Sequence, residues 1–371
     1  MSALRCISCS HEYTLAQPVW RCECGGLLDL VDPPPFQMDR VDPTKPGMWR
    51  YAHNLPVAWE AAISMGEGFS PLISLPFAGK DVLIKQDHLA PTGSYKDRGA
   101  SVLISQVKAL GIRHVVEDSS GNAGCAVAAY CANAGITCDI YVPENTSPAK
   151  LTQIEWYGAR LVKVPGSRED TARAVLDAAQ HYYYASHSWN PFFFQGTKTF
   201  AYEVCEQLGW RAPDWVVLPA GNGTLLLGAA IGFRELFEAG VIGGIPKICA
   251  IQAGNCAPLA AAFLNVADEV ARIVPSETLA EGIAIANPIR ARQILDAVRV
   301  SQGKFITVSE TEIREALVEM GEKGYFIEPT SAATIAGVKK LARELPGEAV
   351  VVTTFTGHGL KAAEKLHKIR P

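Results

Sequence analysis

Three groups of residues in this 371-residue chain have types and spacings that suit chemistry: one lysine, two polar loops and four N-terminal cysteines. The lysine is Lys96, in the run Pro91-Thr92-Gly93-Ser94-Tyr95-Lys96-Asp97-Arg98-Gly99-Ala100, between a polar turn and the start of an apolar helix. The positive end of a helix dipole disfavours an ammonium ion and favours the neutral, nucleophilic amine. Such an amine forms Schiff bases, either with a substrate carbonyl or with that of pyridoxal phosphate. A solvated helix cap is the other use of a lysine so placed.

Gly221-Asn222-Gly223-Thr224 follows the apolar run Trp215–Pro219 and precedes a helical segment over 225–237. Backbone N–H groups converge on an anion at such a turn, so a phosphate suits it; a turn whose glycines serve geometry alone is the alternative. The loop has neither the lysine of a Walker A motif nor the glycine spacing of a dinucleotide fingerprint. Ser119-Ser120-Gly121-Asn122-Ala123 is a second polar loop at a helix start, aimed at a negative group or capping its helix through Ser120. Together with Lys96, two anion cradles make one coherent pyridoxal-phosphate site. The cysteines fall as Cys6-x-x-Cys9 and, after twelve intervening residues, Cys22-x-Cys24-Gly25-Gly26. Two turn-borne pairs can give zinc four thiolates, and four would leave no open position, so the metal would be structural. Because Cys-x-Cys is tighter than the usual knuckle, a ribbon of free thiols is the alternative.

These segments resemble, in the same order, those of threonine synthases and their relatives among the fold type II pyridoxal-phosphate enzymes. The match comprises the Lys96 decapeptide, Ser119–Ala123, Gly221–Thr224 and Thr356-Gly357-His358-Gly359-Leu360-Lys361, and spans the chain from about Gly66 to Lys361. The resemblance implies that Lys96 carries the cofactor, that Tyr95 lies against its ring and that Gly221, Asn222, Gly223 and Thr224 hold its phosphate. It implies further that Asn122 approaches the phenolic oxygen and that Thr356 meets the pyridine nitrogen. Substrate would fall to Ser94, Ser119, Ser120, Gly121, Asn122 and Ala123, with Arg290 receiving a substrate phosphate or serving as a surface arginine. Lys150 and Asn190 are further phosphate contacts to consider, and His358 reads as a turn histidine. Some relatives carry a similar ribbon, which supports Cys6, Cys9, Cys22 and Cys24 as a zinc set. The implied reaction is threonine formation from O-phosphohomoserine; a β-eliminating or β-replacing reaction on serine, threonine or phosphoserine shares the same cofactor and loops. The sequence departs from the family where Asn122 is followed by Ala123-Gly124-Cys125 without hydroxyls, and where the phosphate loop ends in Thr224 rather than glycine.

The elements that must position these residues are legible from alternation. Strand candidates at 82–85, 115–116, 140–143, 161–164, 215–219, 248–251 and 349–354 are separated by helical stretches such as 169–179 and 199–208. Such alternation implies parallel strands with crossover helices. The expected fold is α/β, two doubly wound open sheets with a small N-terminal cysteine ribbon. Its expected domains are a ribbon over 1–30, a large cofactor-binding domain over 31–95 and 200–371, and a small α/β domain over 96–199. Prolines 33, 34, 35, 43, 46 and 56 make 31–60 a linker or wrapping arm. A net charge of -4 and no basic stripe give no reason to expect nucleic acid, and 48% hydrophobic residues describe an ordinary globular chain. The sequence has no long apolar run and no apolar core near Met1, so the expectation is a cytoplasmic protein, off the membrane; beside the resemblance, the expected partners are a small amino-acid substrate and a second copy of the chain in a homodimer.

Overall fold

The computed structural model describes residues 2–271 and 273–369, leaving aside the side chains of Ala149 and Lys150, so the Lys150 expectation lies outside the described residues. The chain opens with β1 (Ala3–Cys6), β2 (Glu12–Thr14) and β3 (Leu28–Val31), which pair antiparallel in the order β2-β1-β3. An antiparallel hairpin, β4 (Leu72–Phe77) and β5 (Lys80–Lys85), leads to α1 (Lys96–Ala109). Strand and helix then alternate: β6 (His114–Glu117), α2 (Asn122–Ala134), β7 (Thr137–Pro143), α3 (Pro148–Trp156), β8 (Arg160–Val164), α4 (Arg168–Ala178), β9 (Tyr183–Tyr184), α5 (Pro191–Thr197). The remainder runs α6 (Thr199–Gln207), β10 (Trp215–Pro219), α7 (Thr224–Glu238), β11 (Lys247–Ala253), α8 (Pro258–Leu264), α9 (Ala291–Val300), β12 (Lys304–Val308), α10 (Glu310–Glu322), α11 (Pro329–Ala342), β13 (Val351–Thr354), α12 (Ala363–His367).

Contacts divide the chain into two units, Met1–Gly68 with Lys96–Thr197, and Phe69–Tyr95 with Lys198–Pro371. The proline-rich arm therefore goes with the first unit. The reason is a buried carboxylate: Glu67 accepts from the Trp49 indole at 2.9 Å, the Tyr130 hydroxyl at 2.7 Å and the Met65 amide at 2.8 Å. Such a fully engaged acceptor ties arm to helix, because releasing it would strand buried donors. The ribbon shares this unit's core, where Leu4, Tyr13, Trp20 and Leu28 are buried in one cluster with Val115, Ile140 and Phe193.

In the first unit the parallel sheet has the order β8-β7-β6-β9. The chain moves outward from β6 through β7 to β8, then returns to the far side of β6. In the second unit the order is β12-β11-β10-β13-β5-β4, parallel except for the edge strand β4. Here too the chain runs from β10 outward to β12 and returns beside β10 as β13. Each sheet thus has one point where strand order reverses, and in doubly wound sheets ligands bind at the carboxyl ends of the strands flanking it. The central strand β10 is buried along all its residues, as an apolar run in a parallel sheet should be.

Candidate active site

In the second unit the reversal lies between β10 and β13, and both carry site residues at their carboxyl ends. β10 passes into Gly221, Asn222 and Gly223, and Gly223 takes a left-handed φ of 69° to turn the chain into α7. A side chain there would be strained, so the glycine sets the turn. No side chain caps α7, and an uncapped helix start is a place that suits an anion. The Tyr95 hydroxyl bonds to Thr224 Oγ1 at 2.8 Å, and the Tyr95 amide donates to the Thr356 carbonyl at 3.0 Å. One residue thereby joins the Gly221–Thr224 loop to the end of β13, and Lys96 follows it in the chain.

Thr356 is completely buried. Its hydroxyl donates to Glu328 Oε1 at 2.7 Å and meets Ser331 Oγ at 2.9 Å, while its amide donates to Ser331 Oγ at 2.8 Å. A hydroxyl has one proton to give, so with that proton on Glu328 the oxygen turns lone pairs to any further partner. Sequence reasoning missed Glu328 and Ser331. Their local signal, a proline at the first helical position of α11, marks a helix start and nothing more. What brings them to Thr356 is long-range pairing, the Glu328 amide donating to the Gly357 carbonyl at 2.9 Å beside an Ile327–His358 bridge.

Arg290 is only 3% exposed, so it is not a surface arginine. It precedes α9, donates to Gln293 at 2.7 Å and stands one turn before Ile294, whose side chain lies against Gly223. Ser94 is buried with its hydroxyl unpartnered and bridges through its backbone to Gly357. An orphaned buried hydroxyl, an uncapped helix start and a neighbouring buried guanidinium suit a ligand that brings its own anionic oxygens. His358 behaves as a turn histidine, its Nδ1 accepting from the Leu360 amide at 3.2 Å.

His88 stacks on His358 at 5.9 Å and stands edge-on to Phe355 at 5.3 Å. Burial, helped by the charge of His358, holds the His88 imidazole down to about 4. Between that value and an unfolded value of about 6.5, the unfolded chain binds more protons than the native one, so the native state gains as pH rises. The contribution is complete above pH 6.5 and is lost as pH falls toward 4. Between pH 7.5 and pH 5 the wild type should lose about 1–2 kcal/mol more than His88→Gln in urea unfolding. Equal losses would show that His88 does not titrate in this way.

In the first unit the reversal lies between β6 and β9. Lys96 begins α1, half-buried, with Nζ 5.5 Å from the centre of the Phe193 ring on α5. β6 ends at Glu117 and passes into Ser119 and Ser120, and α2 starts at Asn122 with no side chain capping it. The alternative reading of a cap by Ser120 is therefore not met; Ser119 Oγ instead takes the Gly121 amide at 3.3 Å. A side chain at Gly124 would collide with the Ser119 carbonyl oxygen, so the packing of this loop on α2 explains the missing hydroxyl at 124. Ala123 is buried. Asn190 is engaged structurally, its amide donating to Tyr183 at 2.6 Å and accepting from the Phe192 amide at 3.0 Å.

The four ribbon sulfurs lie within 4.8 Å of one another, with Cys6–Cys24 and Cys9–Cys22 each at 3.5 Å. Thiolates at 2.3 Å from a tetrahedral zinc stand about 3.8 Å apart, so the set fits a closed four-sulfur site. Tyr13 bonds Cys22 Sγ at 3.3 Å and draws that thiol down to about 6, toward the form that binds metal.

A family model described as pyridoxal-phosphate dependent enzyme matches residues 63–357. The chain is 37% identical to the threonine synthase of Methanocaldococcus jannaschii over 96% of its length and 92% of the relative's. It is 33% identical to the threonine synthase of Methanosarcina acetivorans, covering 97% and 92%. Among solved structures it is similar to processed threonine deaminase isoform 2 of Solanum lycopersicum, with TM-score 0.71 and 20% identity over 90% of this chain and 91% of that one. Maize serine racemase gives TM-score 0.68 at 20% identity, covering 81% and 92%. The lysine, the two strand-end loops and this family match agree, and the chain belongs to the pyridoxal-phosphate dependent enzymes.

Proposed function

We propose that the chain is a threonine synthase, converting O-phosphohomoserine and water to threonine and inorganic phosphate. The observation that carries the reading is 33–37% identity, along nearly the whole chain, to proteins named for that activity. Bound pyridoxal phosphate supplies an electron sink that acidifies the substrate's α carbon. Everything else falls to the chain. Lys96 would hold the cofactor through its Nζ and would carry protons at the substrate's α, β and γ carbons. In the second unit, the backbone of Gly221, Asn222, Gly223 and Thr224 would hold the cofactor phosphate, and the Thr356 hydroxyl oxygen would serve the ring nitrogen. Tyr95 steadies that frame through Thr224 and Thr356. Arg290, buried beside the start of α9, is the guanidinium for the substrate phosphate. In the first unit, Ser119, Ser120, Gly121, Asn122 and Ala123 would offer the uncapped start of α2 to the substrate carboxylate, and Asn122 would be the partner for the cofactor's phenolic oxygen. Ser94, with its unpartnered hydroxyl, is a further substrate donor.

One observation favours a second reaction on the same cofactor. Residues 123–125 carry no hydroxyl to hold a leaving phosphate or attacking water, a lack that suits β-elimination from serine or threonine. Phosphate release with threonine formation from O-phosphohomoserine supports the first reading. Keto acid from serine or threonine, with no threonine from O-phosphohomoserine, sinks it.

We propose also that Cys6, Cys9, Cys22 and Cys24 hold one structural zinc. Their closeness supports it, and so does the ribbon's small size, since a ribbon of this kind draws its folding free energy from the metal. Because Trp20 packs edge-on against Tyr184 at 5.0 Å and Trp189 at 5.6 Å, chelation should loosen β9 as well as the ribbon. Hydrogen exchange after chelation should rise at 3–31 and 183–189 and leave β10–β13 protected. Protein purified under reducing conditions without zinc would overturn the assignment.

A further inference from the structure

At the strand reversal of the first unit, the loop assigned to the substrate carboxylate is held at its entrance by β9. Tyr184, the last residue of β9, pairs in parallel with Val116 of β6. Side chains two apart along a strand share a face, so the residue two beyond Val116, Asp118, comes up beside the tyrosine. The Tyr184 hydroxyl donates to Asp118 Oδ1 at 2.7 Å, and the Asp118 amide donates to Oε2 of the fully buried Glu117 at 2.6 Å. Glu117 Oε1 in turn lies 2.8 Å from His187 Nδ1. Ser119 comes next in the chain, and its carbonyl oxygen packs directly on Gly124 of α2. The loop is therefore held before Ser119 by Tyr184 and after it by α2, whose first turn has no side-chain cap. Tyr184 is itself buried, and Trp20 of the cysteine ribbon stands edge-on to it, with ring centres 5.0 Å apart.

We propose that Tyr184 and Asp118 are positioning residues for the substrate carboxylate. Their hydrogen bond sets where Ser119–Ala123 and the first N–H groups of α2 stand, and Trp20 backs that bond by holding the tyrosine ring. The inference rests on the proposed use of this loop, and it gives the ribbon a part in substrate binding. A hydrogen bond to a carboxylate is stronger than one between neutral groups. Burial, with Glu117 alongside, pushes Asp118 up to about 7, so binding is read at pH 8, where the acceptor is a carboxylate.

The probes are L-alanine, which has an α-carboxylate and no leaving group, and propylamine, which has no carboxylate. Each is titrated into the cofactor-loaded full chain and followed by the absorbance change as its amine joins the bound cofactor. Tyr184→Phe removes one hydroxyl and keeps the ring. It should weaken alanine about tenfold, near the low end of the cost of a hydrogen bond to a charged group, and leave propylamine within about twofold. Asp118→Asn keeps an acceptor oxygen and should bind alanine more tightly than Asp118→Ala. Trp20→Ala should weaken alanine too, but by less than about twofold once Tyr184→Phe is in place. Unchanged alanine binding in Tyr184→Phe, equal losses for the two probes, or equal losses in the two Asp118 variants would overturn the pair. A Trp20→Ala effect that adds in full to that of Tyr184→Phe overturns the ribbon's part. If circular dichroism shows that Tyr184→Phe does not fold, the Asp118 variants decide alone. A wild type that takes up no cofactor, or binds propylamine as tightly as alanine, would fail the proposed use of the loop. Hydrogen exchange then decides the pair through the Asp118 amide and the Cys125 amide, which donates to the Gly121 carbonyl at 3.0 Å. Both should exchange about tenfold faster in Tyr184→Phe, and unchanged rates overturn the pair.

Discussion

Lys96→Ala should abolish the near-visible absorbance of the cofactor-loaded protein and lower turnover by at least about a thousandfold, since one amine both holds the aldehyde and moves protons. The fold should survive. Lys96 is the first residue of α1 and only half-buried, and alanine is the best helix former. The frame that fixes this position is made by its neighbour, Tyr95, through Thr224 and the Thr356 carbonyl, and the substitution leaves those bonds alone. Stability in urea should therefore change by less than about 1 kcal/mol, so that loss of the chromophore reports chemistry and not unfolding. Borohydride should fix pyridoxal phosphate to the wild type at Lys96 and fix none to the variant. A variant that keeps its chromophore, or a wild type whose adduct maps to another lysine, would remove Lys96 from the centre of the proposal.

Much of this arrangement was legible because the informative signals are local. The run Trp215–Pro219 is apolar on both faces and emerges as β10 with the same bounds, and the loop after it announces itself by Gly223, which only a left-handed turn requires. What stayed hidden depends on pairing between distant segments. β12 carries the mixed sequence Lys304–Val308 and becomes a strand because it lies parallel beside β11. β9 is two residues long, too short for any periodicity, yet it creates the reversal beside β6 that gathers Glu117 and His187. Glu328 and Ser331 lie 28 and 25 positions from Thr356, and no spacing rule links them. Arg290 was ambiguous for a related reason, since burial of a charged side chain follows from tertiary packing and leaves no mark in the local pattern.

Glu203→Ala should destabilise the protein by about 3–5 kcal/mol, because it would leave the Lys85 ammonium buried without its counter-charge. Both side chains are fully buried, 2.8 Å apart. Lys85 Nζ also donates to the Ser70 carbonyl at 2.6 Å and to Gln207 Oε1 at 3.0 Å, and Gln207 Nε2 donates to the same carbonyl at 3.0 Å. Three acceptors match the three N–H bonds of the ammonium group, so the pair is closed as well as buried. The same lysine sets strand register: its carbonyl accepts the Phe355 amide at 2.9 Å and the Thr354 hydroxyl at 3.0 Å, joining β5 to β13. β5 leads to Tyr95 and Lys96, and β13 leads to Thr356, so a Lys85 that shifts to find water disturbs both approaches to the cofactor. Cofactor affinity should thus fall together with stability. The double variant Lys85→Met with Glu203→Leu removes both charges and keeps the volume, and it should recover most of the loss in urea unfolding at pH 7. A Glu203→Ala variant within 1 kcal/mol of wild type, or a double variant no better than the single, would mean that the ammonium reaches solvent or sheds its proton instead of remaining buried and charged.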